Sequence, residues 1–220
     1  SIQMFLSPIK ELIRYQVTRF IYYVYRFTKY KEKKEDKESR VWYDTGNVFF
    51  TAAKTLKNQV ESAIKEGEII NDARTMINEP ANIMTTTGFV DIVKKLQLKK
   101  SKVEILNKTK LKKQGLNLIT GVNQGSMYKP YLLILKWMPL KNKKPVVITG
   151  KGVMFDSGGI NIKRYDFADM KTDMTGAAVA LAVFRLIVEQ NIKKNVVAIM
   201  PLVENMVSKN AIRPGDVLKS

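Results

Sequence analysis

Residues 146–184 decide the fold, and they read VVITGKGVMFDSGGINIKRYDFADMKTDMTGAAVALAVF. Pro145 and the four residues after it form a compact apolar run, which is typical of a buried strand. We predict that this strand ends at Thr149 and that a loop rich in glycine, aspartate and lysine follows it. A helix is predicted over residues 174–190, starting near Asp173. Four apolar residues are expected on its inner face: Val179, Val183, Leu186 and Ile187.

Strands and helices alternate on both sides of this segment. This alternation predicts an α/β fold with a mostly parallel sheet that is covered by helices on both faces. Residues 29–40, KYKEKKEDKESR, carry mixed charges without apolar periodicity and are predicted to be a linker. Further strands are predicted at 103–106, 118–122, 131–136 and 195–202. Helices are predicted at 9–27 (its second half also suits a strand), at 47–78, from a cap at Thr87 to Leu98, and at 108–114 before Gly115.

The loop after Thr149 is the candidate site, because ligands of parallel α/β sheets lie beyond the carboxyl ends of the strands. Gly150-Lys151-Gly152 lacks the spacing of a phosphate-binding loop. Asp156 and Asp173 are better candidates, since carboxylates at a strand end and a helix start can converge on one hard cation. The structural alternative is that Asp156 caps a turn and Asp173 favours a helix N-terminus.

Two lysines, Lys151 and Lys163, flank Asp156 in this loop. An amine near a metal ion can act as a neutral ligand, and a charged ammonium can stabilise an oxyanion. In a chain this rich in lysine, the alternative is that both side chains are simply solvated.

The composition excludes several kinds of catalytic site. The 220 residues include no histidine and no cysteine. Ser-His-Asp triads, histidine or thiolate metal sites and cysteine nucleophiles are therefore excluded, and the lack of cysteine favours a reducing compartment. Catalysis has to use carboxylates, amines, hydroxyls, backbone groups or a metal ion that they hold.

The formal net charge of +18 has two interpretations. It indicates either an anionic partner such as nucleic acid, or lysines spread over solvated faces. The second interpretation is favoured, because the lysines are distributed along the chain and no nucleic-acid motif accompanies them. No apolar run reaches the roughly 20 residues of a membrane span.

Five sequence blocks resemble the leucyl aminopeptidase (M17, cytosol aminopeptidase) family, over roughly residues 20–220. The first active-site block of that family resembles GKGVMFDSGGINIK (150–163) followed by DMKTDMTGAA (169–178). The other four blocks occur in the family's order. They are YRFTKYK (25–31), ARTMINEPANIMTTTGF (73–89), LITGVNQG (118–125) and PLVENMVSKNAIRPGDVLKS (201–220).

The resemblance implies a cytoplasmic metallopeptidase that releases N-terminal, leucine-like residues from peptides with two divalent ions. Lys151 and Asp173 would bind one ion, Asp156 would bridge both, and Lys163 would stabilise the gem-diolate. Met170 would line the pocket for the first side chain. Zinc or manganese is expected, and magnesium is compatible with these ligands. The resemblance also implies a homo-hexamer.

Three departures from the family pattern limit this expectation. The loop between Lys163 and Asp173 is one residue shorter than usual. Residues 1–60 match only the end of an N-terminal domain and its connecting segment, while 61–220 match the first part of the catalytic domain. A second block of the form NTDAEGR, which brings two more carboxylate ligands and an arginine, has no counterpart. The alternative hypothesis is therefore a non-catalytic relative with a structural or binding role. The third hypothesis is a protein that binds an anionic partner such as nucleic acid.

Overall fold

A computed structural model describes residues 2–7, 10–31, 48–96, 98 and 101–218. They form two compact units that divide between Thr75 and Met76, inside one long helix. The helices are α1 (Lys10–Val24), α2 (Lys57–Asn78), α3 (Thr86–Lys95), α4 (Lys108–Lys113), α5 (Asn117–Val122) and α6 (Thr175–Glu189). The strands are β1 (Ile2–Phe5), β2 (Val48–Thr51), β3 (Lys102–Asn107), β4 (Tyr131–Trp137), β5 (Val146–Thr149), β6 (Gly152–Asp156) and β7 (Val196–Asn205). Short 3₁₀ helices cover Lys54–Leu56, Asn123–Gly125 and Phe167–Met174.

The first unit packs α1 against α2 beside a two-stranded parallel sheet of β1 and β2. Arg14 forms an ion pair of 2.6 Å with Glu66 between the two helices. Gly67 allows close packing, because a Cβ there would lie within 3.0 Å of the Ile21 side chain. The predicted helix over 9–27 is confirmed as α1, and the strand alternative for its second half is wrong. Among the described residues of this unit, one buried apolar cluster consists of Ile13, Val17, Val60 and Ala63.

The second unit contains a five-stranded mixed sheet. Its order is β3-β4-β7-β5, and β6 also pairs with β7. Strand β4 is antiparallel to β3 and to β7, whereas β5 and β6 run parallel to β7. The α/β class is therefore confirmed, with four strands in one direction and β4 reversed.

One face of this sheet is deeply buried. Leu133 and Leu135 of β4 lie opposite Met200 and Ala198 of β7, and none of the four side chains is exposed to solvent. Alternate residues of both strands are only half-buried, as the period of two in a strand requires. Removal of these side chains from water is the main stabilising contribution to the unit.

Three local predictions are wrong. Residues 118–122 were expected to be a strand but form helix α5, which leaves Leu118 88% exposed. An apolar run this short cannot distinguish the helical period of about 3.6 residues from the strand period of about two. Residues 48–56 form β2 and a 3₁₀ turn, so the helix predicted from residue 47 begins only at Lys57. The cap of α3 is Thr85, not Thr87, since the Thr85 side chain accepts a hydrogen bond from the Gly88 amide.

Helix α6 buries a face different from the predicted one. Val179 and Val183 are 48% and 37% exposed, whereas Leu186 and Ile187 are half-buried. A Cβ on Gly150 would lie 2.8 Å from Ala180 Cβ, so the helix approaches the β5 end too closely for larger side chains. Small residues therefore face the sheet, together with Leu181 and Phe184.

Strand β5 is predicted as buried but is largely exposed. Val146 and Val147 are more than half exposed, because β5 is an edge strand that pairs only with β7 among the described residues. The strand also does not end the ordered ladder at Thr149, since β6 continues it.

Two further predictions concern the N-terminal part of the chain. Residues 32–40 of the predicted linker lie outside the described residues. The assignment of 1–60 and 61–220 to separate domains stays a prediction, and the two compact units divide at a different point. In the part of the chain that the structure describes, none of the helices has the length and apolar character that a bilayer crossing requires.

A pair of glycine substitutions tests the packing of the 3₁₀ turn Asn123–Gly125 on the end of β7. A Cβ on Gly125 would lie 1.7 Å from the Met206 carbonyl oxygen, whereas nothing lies within 4 Å of a Cβ on Gly121. We expect Gly125→Ala to lower the free energy of unfolding by about 3 kcal/mol. Gly121→Ala should leave it unchanged or raise it by about 0.5 kcal/mol. Urea unfolding followed by circular dichroism measures both, and equal effects would contradict the packing described.

Candidate active site

The edge of the sheet is interrupted at Gly150 and Lys151, between β5 and β6. Both strands pair with β7 in one continuous register, because Thr149 lies opposite Ile199 and Gly152 opposite Leu202. The Gly150 amide bridges the gap by donating to the Ile199 carbonyl at 3.0 Å. No extra residue is therefore inserted at Gly150 and Lys151, and the two residues do not form a phosphate-type loop. The register shifts further along, between Val153 and Asp156, where β6 carries one residue more than β7.

The start of α6 fixes Lys151. The Ala177 amide donates to the Lys151 carbonyl at 2.8 Å. Gly176 allows this approach, since a Cβ there would lie 2.9 Å from the Lys151 amide nitrogen. The segment before α6 carries Asp173, and Lys151 Nζ donates to Asp173 Oδ1 at 2.7 Å. Two of the predicted residues are thereby joined.

Asp156 ends β6 and has three neighbouring donors. Its Oδ1 accepts from the Gly158 amide at 3.1 Å and from Asn205 Nδ2 at 2.7 Å. Its Oδ2 lies 2.8 Å from Lys163 Nζ, and the two side chains are 18% and 35% exposed. The other two predicted residues are thus joined as a second lysine–aspartate pair.

A tight turn after Asp156 returns the chain to Lys163. Gly158 and Gly159 have φ angles of +87° and +65°, which glycine adopts without steric cost. The Lys163 amide closes the turn by donating to the Ser157 carbonyl at 3.0 Å. The SGG sequence is therefore what allows Lys163 to fold back onto Asp156.

The 3₁₀ helix Phe167–Met174 lies against β6 and connects the two pairs. Lys163 Nζ contacts Met170 Sδ at 3.0 Å, and Asp173 lies one turn further along the same helix. The rings of Phe155 and Phe167 pack edge to face at 5.6 Å. A small apolar cluster supports the region, formed by Ala81, Phe155 and Met206 with Phe167, Met170 and Ala211 against it.

The hydrogen bonds at Asp156 change its acidity. Burial alone would raise the pKa of Asp156. The bonds from Lys163, Asn205 and the Gly158 amide, together with the Lys163 charge, outweigh burial and hold the pKa below its ordinary value of 3.8. Asp156 is therefore a carboxylate at neutral pH.

The donors at Asp173 fit a divalent cation. Asp173 Oδ2 is buried and has no hydrogen-bond partner among the described residues. A buried oxygen without a partner is costly, and a hard cation would satisfy it. The role of Asp173 therefore goes beyond an electrostatic interaction with the helix N-terminus. Its Oδ1 accepts from Lys151, and its Oδ2 has no hydrogen-bond partner among the described residues. Within residues 101–218 and the other described ranges, no group of three or more Asp, Glu, His or Cys side chains forms a complete metal cage.

Asn205 is a site residue that the sequence analysis did not identify. The predicted strand ended at Leu202, whereas β7 continues to Asn205. The amide consequently lies at the carboxyl end of β7, beside Asp156. The polar pair Glu204-Asn205 at the end of an apolar run was the available signal.

Comparison with known proteins identifies the relatives of this chain. Residues 71–220 match the model of the cytosol aminopeptidase family, catalytic domain. A probable cytosol aminopeptidase of Brucella anthropi is 38% identical over 200 residues, which are 89% of this chain and 40% of that protein.

Solved structures give the same result. The crystal structure of the cytosol aminopeptidase from Coxiella burnetii matches with a TM-score of 0.77 at 27% identity, over 98% of this chain and 45% of the other. The bottromycin maturation enzyme BotP, solved in complex with Mn, matches with a TM-score of 0.75 at 27% identity, over 94% and 43%. The chain thus spans less than half the length of these proteins.

The lowered pKa of Asp156 predicts how stability depends on pH. A carboxylate with a lowered folded pKa adds stability above its unfolded pKa, and this stability is lost as the pH falls through the folded value. Asp156→Asn should therefore be less stable than the unsubstituted chain at pH 7, and the difference should shrink as the pH drops below about 4. Thermal unfolding in a chelating buffer measures this, with Asp169→Asn as the exposed control. A difference that is constant with pH would contradict the assigned hydrogen bonds.

Proposed function

The chain belongs to the cytosol aminopeptidase family, and on that premise we propose that it is the metal-binding part of a peptidase that releases N-terminal, leucine-like residues from peptides. The observation that carries the proposal is a set of two lysine–aspartate pairs, Lys151–Asp173 and Lys163–Asp156, which the 3₁₀ helix Phe167–Met174 connects along β6. This set of donors contains no histidine or cysteine, in agreement with the composition.

Three side chains would hold divalent ions in this proposal. Asp173 offers a buried oxygen without a partner, Lys151 offers its amine beside it, and Asp156 offers Oδ2. A bound ion polarises a carbonyl group and lowers the pKa of a water molecule. Zinc or manganese suits one amine and several carboxylates, and magnesium is compatible with the oxygens.

Lys163 would act on the scissile carbonyl. An ammonium group has three N–H donors, of which Asp156 and Met170 engage two. The remaining donor can bind the carbonyl oxygen and stabilise the negative charge that develops when water attacks the carbon. The carbon–nitrogen bond then breaks and the amine leaves with a proton. Asp156, ionised and adjacent, keeps the Lys163 side chain oriented.

The remaining features of the proposal come from the family. Met170 would line the pocket for the first side chain of the peptide, which suits its apolar contacts. We propose a cytoplasmic location, which the name of the cytosol aminopeptidase relatives supports, and a homo-hexameric assembly, which rests on the family resemblance alone. The binding of a nucleic acid stays the less favoured prediction.

A second candidate function is supported by one observation. No complete cage of three or more Asp, Glu, His or Cys side chains occurs in the described part of the chain. The chain would then be a non-catalytic relative that keeps the scaffold for a structural or binding role. Ion binding and turnover separate the two candidates.

Two matched variants in the 3₁₀ helix Phe167–Met174 test the binding of a divalent ion. We expect Mn²⁺ to raise the melting temperature of the 220-residue chain, because a ligand that binds only the folded state stabilises it. Asp173→Ala should abolish this rise, and Asp169→Ala, an exposed carboxylate nearby, should keep it. Differential scanning fluorimetry with and without Mn²⁺ measures both. A rise that persists in Asp173→Ala would remove Asp173 from the proposed site.

Turnover has its own test. The chain is assayed on leucine amide with added Mn²⁺ or Zn²⁺, and released ammonia is measured. Lys163→Met should lower kcat/KM by about 10²- to 10³-fold, because the oxyanion loses its donor. Lys144→Met, at an exposed position, serves as the control. Ion binding without turnover in the unsubstituted chain would favour the non-catalytic alternative.

A further inference from the structure

Asn205 touches the Asp156 turn through two different groups. Its side-chain Nδ2 donates to Asp156 Oδ1 at 2.7 Å. Its backbone carbonyl accepts from the Ser157 amide at 2.9 Å and from the Ser157 hydroxyl at 2.8 Å. One residue of β7 therefore holds both the carboxylate of Asp156 and the backbone that follows it.

The residue before Asn205 is fixed in a buried ion pair. Glu204 and Arg213 are bonded through Oε1 and Nη1, and their side chains are 1% and 6% exposed. The Ser126 hydroxyl donates to the other oxygen of Glu204, and Asn123 Oδ1 accepts from the Glu204 amide at 2.9 Å. Because successive strand residues point to opposite sides, locking Glu204 on one side orients Asn205 towards Asp156 on the other.

A second ion pair holds Arg213 in place. Arg213 Nε lies 3.1 Å from Asp216 Oδ1. Breaking a buried pair of this kind leaves an uncompensated charge, so the arrangement is stiff. Asn205 is consequently presented from a rigid support and not from a free strand end.

The contacts distinguish the two oxygens of Asp156. Oδ1 accepts from Asn205 and from the Gly158 amide, which uses both of its lone pairs. Among the described residues, Oδ2 has one partner, Lys163, and keeps one lone pair. A neutral amide holds Oδ1 without adding charge, so it does not repel a cation that approaches Oδ2, as a lysine in its place would.

We propose that Asn205 is a positioning residue, which fixes the plane of the Asp156 carboxylate so that Oδ2 faces Lys163 and an incoming divalent cation. The part that concerns the cation rests on the proposed function, and the part that concerns the carboxylate does not. The Glu204–Arg213 pair supports this role indirectly, because it holds the residue that precedes Asn205.

The first experiment measures Mn²⁺ affinity by electron paramagnetic resonance of the free ion, in the 220-residue chain. Asn205→Leu keeps the side-chain volume but removes the amide, and Asn210→Leu makes the same change at an exposed position of the next segment. We expect Asn205→Leu to weaken binding about 10- to 100-fold, as loss of a residue that orients a metal ligand does. Asn210→Leu should bind like the unsubstituted chain, and Asn205→Gln, which retains a donor, should recover part of the affinity. Equal affinity in Asn205→Leu overturns the proposal.

The second experiment needs no metal and separates the two proposals. The Gly158 amide shares Asp156 Oδ1 with Asn205, so release of the carboxylate should expose it. Hydrogen exchange by NMR should be at least about tenfold faster at Gly158 in Asn205→Leu and unchanged in Asn210→Leu. Asn205→Ala gives the same comparison if leucine is not accommodated. Unchanged exchange overturns the positioning role even when Mn²⁺ binds. Faster exchange in a chain that binds no Mn²⁺ supports the positioning role and refutes the proposed function instead.

Discussion

The parallel pairing of β7 with both β5 and β6 is the constraint on which the rest of the second unit depends. A single strand, Val196–Asn205, holds the two edge segments in one register on either side of Gly150 and Lys151. Because the register is continuous across Gly150 and Lys151, these two residues stay beside β7 at the edge of the sheet. Lys151 therefore lies beside the start of α6, and Asp156 lies beside the end of β7.

Small residues make this arrangement sterically possible. Gly150, Gly152 and Gly176 each lie where a Cβ would meet backbone or alanine atoms at less than 3.0 Å. Helix α6 can consequently press its alanine-rich face onto the edge segments, which draws Asp173 to Lys151. The larger residues Val179 and Val183 are left on the outside for the same reason. Close packing at the start of α6 thus places Asp173 within hydrogen-bond distance of Lys151.

The site balances its own charges although the chain as a whole carries +18. Each candidate carboxylate has a lysine partner within 2.8 Å, so neither aspartate is left as an isolated charge. A divalent ion would have to compete with these ammonium groups or use the oxygen that they do not reach, Asp173 Oδ2. The two lysines differ in their surroundings, since Lys151 is mostly exposed and Lys163 is held between Asp156 and Met170. This difference agrees with separate roles for them in the proposed peptidase.

The sequence by itself determined the kind of chemistry and most of the strong elements. The absence of histidine and cysteine left lysine and aspartate as donors, and the block from Gly150 to Ala178 identified the family. Apolar periodicity located α1, because a long pattern separates a period of 3.6 from a period of two. Shorter apolar runs located β3, β4 and β7. Only the tertiary structure decided that Lys151 meets Asp173 and that Lys163 meets Asp156. It also decided that Asn205 donates to Asp156 and that α6 turns its alanines inward. Those outcomes depend on strand register and on the distance at which backbones can approach. Neither quantity is encoded in local periodicity, since both arise from residues far apart in the chain.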